Sequence, residues 1–264
     1  MDPVQVRTVH TDRLDMDYVI FGGGRKSLVI LPGISIKPIT LSAAALEGGF
    51  RRFAEEYTVY VFDRRSGLAD GCTVEEMTDD TADAMKVLGI SGADVFGASQ
   101  GGMIALVLAA RYPALVAKAV VASSSAHLEE RYAALLTEWA RLARAGSVRE
   151  LNRSVFAHLY TREYLDTYRD IFAAMETDGA PDELARFAAM SDACVTFDFR
   201  GELANVHCPV LVVCAECDTA LGADASRLIA ERTGGTLVVY PRYGHAVYDE
   251  APDFRDRMWD FFRG

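Results

Sequence analysis

Asp94-Val95-Phe96-Gly97-Ala98-Ser99-Gln100-Gly101-Gly102 is the stretch that decides how this 264-residue chain folds. Asp94–Gly97 reads as a short strand, and Met103–Arg111 as a helix ended by Tyr112-Pro113. Between them lies a G-x-S-x-G turn. A residue on so sharp a strand-to-helix turn holds a strained backbone angle. Its neighbours must be small, because strand and helix pass close on either side. Gly97, Ala98, Gly101 and Gly102 meet that need. Ser99 then stands at a helix N-terminus, where backbone N–H groups and the helix dipole favour developing negative charge. Such a Gly-rich turn can equally hold a phosphate, and the bare pattern also arises by chance, so its setting in the chain matters.

Outward from the turn, the setting is α/β. Val4–His10 and Leu14–Phe21 alternate as strands around a Gly22-Gly23-Gly24 turn. Ser27–Leu31 and Thr58–Phe62 are short continuous apolar runs, suited to strands buried on both faces. Helices are expected over Ile39–Glu55 and Val74–Leu88, and a further strand over Lys118–Ala122. Such alternation means βαβ units and a mostly parallel sheet flanked by helices. From about His127 to Ala204 only helical periodicity remains, over Arg131–Ala145, Val148–Leu159, Arg162–Met175 and Asp182–Cys194, broken at Gly146, Asp178-Gly179 and Pro181. Strand Val210–Val213, helix Ala223–Arg232, strand Thr236–Tyr240 and helix Pro252–Phe262 complete the pattern. The expected organisation is an α/β core over 1–124 and 205–264, interrupted by a helical insertion over 125–204.

Composition bounds the function. Lys and Arg number 27 against 38 Asp and Glu, a formal net charge of -11, so a broad basic face for nucleic acid is not expected. No apolar run approaches the ~20 residues of a membrane span. The start, Met1-Asp2-Pro3-Val4-Gln5, has no basic segment leading into an apolar one. With five cysteines, an odd number, this favours reduced thiols in a cytoplasm. Cys214-x-x-Cys217 begins inside an apolar strand, with only His207 and Cys208 nearby, and reads as ordinary thiols rather than a metal or redox site. No metal and no cofactor are expected.

A serine hydroxyl is a weak nucleophile and needs a base. Of the histidines, His10 lies in an N-terminal strand, His127 and His158 in the helical insertion, and His207 at a strand start. His245 follows Tyr240-Pro241-Arg242-Tyr243-Gly244, at the carboxyl end of the last strand, the edge that also carries Ser99 and where ligands sit in open α/β sheets. A base of this kind needs a third group to hold its tautomer and stabilise its cation. The loop after Val210–Val213 offers Glu216 and Asp218, of which Asp218 is the better placed; the alternative site after Val120–Ala122 reads Ser123-Ser124-Ser125 and offers no carboxylate.

With these residues in order, the chain resembles the α/β-hydrolase superfamily over nearly its whole length. The resemblance rests on the succession Ser99, Asp218, His245, on Gly97–Gly102, on Cys208–Val213 leading to Asp218, and on Gly244-His245 followed by Glu250-Ala251-Pro252. It implies that the insertion between the sixth and seventh strands is a lid over the active site, whose inner aromatics, from among Trp139, Phe156, Tyr160, Tyr164, Tyr168, Phe172, Phe187 and Phe197, line a substrate cavity. It implies an oxyanion hole from the backbone N–H groups of Gln100 and Ile34, although Pro32-Gly33 stands where many relatives carry His-Gly. It gives Asp63-Arg64-Arg65-Ser66-Gly67 a bracing role; Lys37, in the oxyanion loop, reads as a solvated lysine or as a contact for an anionic substrate. The implied activity is a cofactor-free serine hydrolase acting on a small, largely apolar ester or lactone, as a monomer or homodimer. C–C hydrolysis, acyl transfer or a lyase reaction by the same three residues, and a non-catalytic ligand-binding role, remain the alternatives.

Overall fold

In the computed structural model, which describes residues 3–177 and 179–264, eight strands form one sheet in the order β1-β2-β4-β3-β5-β6-β7-β8. The strands are β1 (Gln5–His10), β2 (Asp15–Gly22), β3 (Lys26–Leu31), β4 (Tyr57–Arg65), β5 (Ala93–Ala98), β6 (Val116–Ala122), β7 (Val210–Ala215) and β8 (Thr236–Tyr240). β1 and β2 run antiparallel at one edge; every pairing from β4 to β8 is parallel. The expected residues Met1, Asp2 and Asp178 lie outside the described ones.

The side-chain period of two divides each apolar run between two cores. Val29 and Leu31 of β3 join Val210 and Val212 of β7 on one face; Leu28 and Ile30 join Leu211 and Val213 on the other. On the first face pack α2 (Val74–Val87), α3 (Gln100–Arg111) and α9 (Ala223–Thr233), while α1 (Ala43–Gly49) lies over the other face with α11 (Phe254–Arg263). Thr73 starts α2 with a capping box, its hydroxyl accepting from the Glu76 N–H and the Glu76 carboxylate accepting from the Thr73 N–H.

Between β6 and β7 the described residues make five α-helices: α4 (Glu130–Arg144), α5 (Val148–Leu159), α6 (Arg162–Thr167), α7 (Arg169–Met175) and α8 (Pro181–Thr196). Trp139 of α4 and Phe187 of α8 are buried in the same apolar cluster as α3. A four-residue helix, α10 (Val247–Glu250), precedes α11.

Some elements differ from expectation. The segment 39–55 is not one helix but a 3-10 turn, the short α1 and a second 3-10 turn, because Gly48-Gly49 is a poor helix interior. The segment 162–175 breaks into α6 and α7 at Tyr168, which leaves helical geometry. The last helix begins at Phe254 rather than Pro252, and α3 begins at Gln100 rather than Met103, since the chain turns into helix immediately after Ser99.

Phe53 illustrates what holds the second core together. It is 1% exposed and meets Trp259 edge-on at 5.2 Å and Phe50 at 5.6 Å. Phe53→Ala should lower the unfolding free energy by about 3–5 kcal/mol in denaturant titration, whereas Leu41→Ser, at a 72% exposed position, should change it by less than about 0.5 kcal/mol.

Candidate active site

Ser99 has φ 54° and ψ -123°, a conformation that non-glycine residues seldom adopt. The glycines around it are demanded by contact. A Cβ at Gly97 would stand 2.3 Å from the Gly101 carbonyl oxygen, and one at Gly101 would stand 1.9 Å from that of Leu31. Helix α3 is thus pressed against the ends of β5 and β3, and the turn between has no room to relax. The Ser99 N–H donates to the Ala122 carbonyl, and the Ser124 hydroxyl donates to the Ser99 carbonyl at 2.8 Å. The serine run after β6, which holds no carboxylate, therefore braces the turn.

His245 is 1% exposed. Its Nδ1 lies 2.8 Å from Oδ2 of Asp218, itself buried. The second carboxylate oxygen, Oδ1, accepts from the N–H groups of Ala220 at 2.8 Å and Leu221 at 2.9 Å. Burial acts to raise the Asp218 carboxyl, but the attraction and hydrogen bond of His245 and the two backbone donors outweigh it and hold it below the usual carboxylate range. Glu216 goes elsewhere: it is exposed and pairs with Arg227 of α9. The two acids, two residues apart at the end of β7, point to different neighbours.

The turn before His245 is also set by contact. A Cβ at Gly244 would lie 2.9 Å from the Leu159 carbonyl oxygen, which accepts from the Ala246 N–H at 2.8 Å. Glu250 accepts from the N–H groups of Thr161 at 2.6 Å and Gly244 at 3.2 Å. The end of α5 and the His245 loop are thereby stitched together.

Ser99 and His245 line one small enclosed space with Gly33, Ile34, Met103 and Tyr248. A Cβ at Gly33 would stand 3.0 Å from the Ser99 Cβ and 3.5 Å from its Oγ, so the loop after β3 runs directly past the hydroxyl. Gln100 opens α3, which puts its N–H among the free donors of a helix start. Its side chain is fully buried. Nε2 donates to the Met190 carbonyl of α8 at 2.8 Å, and Oε1 accepts from Arg64 Nε at 3.2 Å and Nη2 at 3.1 Å. Arg64 Nη2 also donates to the Pro32 carbonyl at 2.8 Å. Burial lowers the Arg64 guanidinium to about 10, still cationic at neutral pH. The bracing expected of Asp63-Arg64 is thus a bridge from the β3 loop through Gln100 to α8. Asp63 accepts from Arg186 of α8 at 2.6 Å and from the Ile39 N–H at 2.9 Å. Lys37 is an ion-pair partner of Glu183, also on α8, at 2.8 Å rather than a solvated lysine. Nothing in the spacing of Gln100 or Lys37 pointed to helix α8, 90 or more residues away.

The other histidines lie apart from this space: His10 beside Asp15, His127 beside Asp198, His158 bonded to the Ser154 carbonyl, and His207 exposed. Cys214 is buried with its thiol raised to about 11 by that burial, and Cys217 is exposed.

Adjoining the Ser99 space is a cavity of about 460 Å³ that shares Gly33, Ile34, Val155, Leu159 and Tyr248 with it. Its further walls include Ile36, Phe50, Phe96, Phe156 and Phe187. The volume is that of a small-ligand pocket, with mostly apolar walls and a few polar groups.

An eight-stranded, mostly parallel sheet with a serine on a sharp turn at the carboxyl end of β5 is the architecture of the α/β hydrolases. The model of the alpha/beta hydrolase family matches residues 28–255, and the chain belongs to that family of enzymes. RutD of Caulobacter sp. (strain K31), a protein named for carbamate hydrolysis, is 26% identical over 219 residues, 79% of this chain and 81% of that one. The serine hydrolase BPHL of Mus musculus is 25% identical over 98% of this chain and 84% of its own. Among solved structures, the enol-lactonase of Burkholderia xenovorans LB400 superposes with a TM-score of 0.84 at 20% identity, over 98% of this chain and 100% of that one, a likeness of fold. Among the described residues no helix is long and apolar enough to cross a membrane.

The electrostatics of Asp218 have a measurable consequence. A carboxyl held below its unfolded value, about 3.9, adds stability above that pH and loses it as pH falls through the folded value. Asp218→Asn should therefore be less stable than the parent at pH 7, and the gap in unfolding free energy should shrink steadily below about pH 4.

Proposed function

We propose that this protein is a cofactor-free serine hydrolase that cleaves a small, largely apolar carboxylic ester or lactone through an acyl-enzyme. The observation that carries this reading is the joint one at the carboxyl edge of the sheet: Ser99, on its positive-φ turn, lines the same enclosed space as a buried His245 whose Nδ1 is held by Asp218 at 2.8 Å. With Nδ1 engaged, Nε2 is the ring nitrogen left to take the serine proton.

In this mechanism Ser99 Oγ attacks the acyl carbon as its proton passes to His245 Nε2. The carbonyl oxygen becomes an oxyanion held by the N–H groups of Gln100 and Ile34. Collapse of the tetrahedral species breaks the bond to the leaving alcohol, which receives the proton from His245. A water molecule then gives its proton to the same nitrogen and attacks the acyl-enzyme, releasing the acid and restoring Ser99. Asp218 keeps the imidazole in one tautomer and stabilises its cation in both halves. The helices of 125–204 act as a cap over the core of 1–124 and 205–264, excluding water and shaping the acyl pocket. The apolar walls of the 460 Å³ cavity support an apolar substrate body. Carbamates, which present a similar acyl carbon and figure in the name of one relative, belong in the same substrate panel.

A fluorophosphonate probe should label Ser99 and fail to label Ser99→Ala. Short-chain p-nitrophenyl esters should be turned over, with kcat/KM falling at least about 10³-fold in His245→Ala and changing only a few-fold in Glu216→Ala. Labelling without turnover of any ester, lactone or carbamate would sink the hydrolase reading in favour of ligand binding.

A further inference from the structure

The large cavity beside Ser99 is apolar along most of its wall but not at Arg255. This side chain, from the first turn of α11, lines the cavity together with Phe50, Phe254, Tyr248 and Asp249. It runs along α1, where a Cβ at Gly49 would lie 3.4 Å from one of its terminal nitrogens, and its guanidinium carbon stands 5.2 Å over the Phe50 ring. Its Nε is fully enclosed and, among the described residues, has no hydrogen-bond partner. Among the described residues it makes no ion pair within 4.0 Å. Two of the other cationic groups near the site have acid partners. Lys37 meets Glu183, and Arg186 meets Asp63.

Asp249 is the nearby acid on the cavity wall. Its Oδ2 accepts from the Tyr160 hydroxyl at 3.2 Å, and the protein around it raises its carboxyl pKa despite the opposing attraction of Arg255. A guanidinium stacked on an aromatic ring at the wall of an apolar chamber is held in one orientation and gains from an arriving anion. Its planar fork fits a carboxylate.

From this we propose that the cavity takes a substrate whose apolar body ends in a carboxylate, and that Arg255 binds that carboxylate while the ester or lactone group lies at Ser99. The inference rests on the hydrolase reading for the reaction but not for the binding. The substrate class is a half-ester or a lactone acid: one carboxyl derivative to be cleaved, one free carboxylate to be recognised. Arg255 is a specificity-determining residue, and the reaction supplying such a substrate is one that leaves a free acid at one end and an activated acyl group at the other.

Two measurements separate the binding claim from the catalytic one. The first is calorimetric titration with octanedioate and with octanediamide. The parent should bind the dicarboxylate more tightly than the diamide, and Arg255→Met should weaken the dicarboxylate by about 10- to 100-fold with little change for the diamide. Arg255→Lys, which keeps the charge and loses the fork, should fall between. The second is turnover of paired p-nitrophenyl and methyl esters that carry, or lack, a terminal carboxylate on the acyl or the alcohol side. In at least one pair the carboxylate form should be preferred, and Arg255→Met should reverse the ratio of the two kcat/KM values; a ratio is unaffected by a general loss of folded enzyme. Equal binding of dicarboxylate and diamide, or equal losses on charged and neutral ligands in Arg255→Met, overturns the proposal. Arg255-dependent binding of octanedioate without turnover of any ester leaves the carboxylate site standing and removes the hydrolase reading instead.

Discussion

The closeness of α3 to the ends of β3 and β5 is the constraint from which the site follows. Gly101 lies against the Leu31 carbonyl and Gly97 against that of Gly101, with no space for a single carbon at either place. A helix entering at that distance forces the residue before it out of ordinary geometry, and Ser99 takes φ 54°. The cost of such a conformation, of order 1–3 kcal/mol, is met by the two buried cores on either side of the sheet. The result is a hydroxyl held proud of the sheet edge, at a helix N-terminus, with the β3 loop alongside it.

Parallel strands deliver the rest to the same rim. β3, β5, β7 and β8 all end on one edge, so the loops carrying Ile34, Ser99, Asp218 and His245 converge although they span more than 200 residues of sequence. Burial then sharpens what convergence begins. Asp218 is out of water yet ionised, because His245 and two backbone N–H groups offset the loss of hydration.

The helices between β6 and β7 are tied to this rim by polar contacts as well as by apolar packing. Gln100 reaches the Met190 carbonyl, Arg186 reaches Asp63, Lys37 reaches Glu183, and Glu250 reaches Thr161. Gln100 adjoins Ser99 and Glu250 holds the Gly244 N–H before His245, and every tie reaches a segment remote in sequence. A shift of α5 or α8 therefore bears on the same loops that position the hydroxyl and the imidazole.

Strand runs, the G-x-S-x-G turn and the order of serine, acid and histidine were legible in the sequence, because they depend on local periodicity and on which residues tolerate a tight turn. The two-face division of β3 and β7 follows directly from their alternation. The break at Tyr168 was not legible, since helical spacing continues through it and packing against neighbours decides where that helix ends; within 39–55 the signal was Gly48-Gly49, which the apolar spacing masked. Nor could spacing choose between Glu216 and Asp218 on physical grounds stronger than position; Arg227 draws one away and His245 holds the other, and both partners come from elements further along the chain. The same holds for the Gln100 amide, the stitch between Leu159 and Ala246, and the place of Arg255 on the cavity wall. Residue types and their local order determined the class of fold and the candidate reacting groups. Which groups meet, and which cation faces an apolar chamber with no ion pair among the described residues, was decided by tertiary contact, because these are properties of neighbours in space that no local pattern encodes.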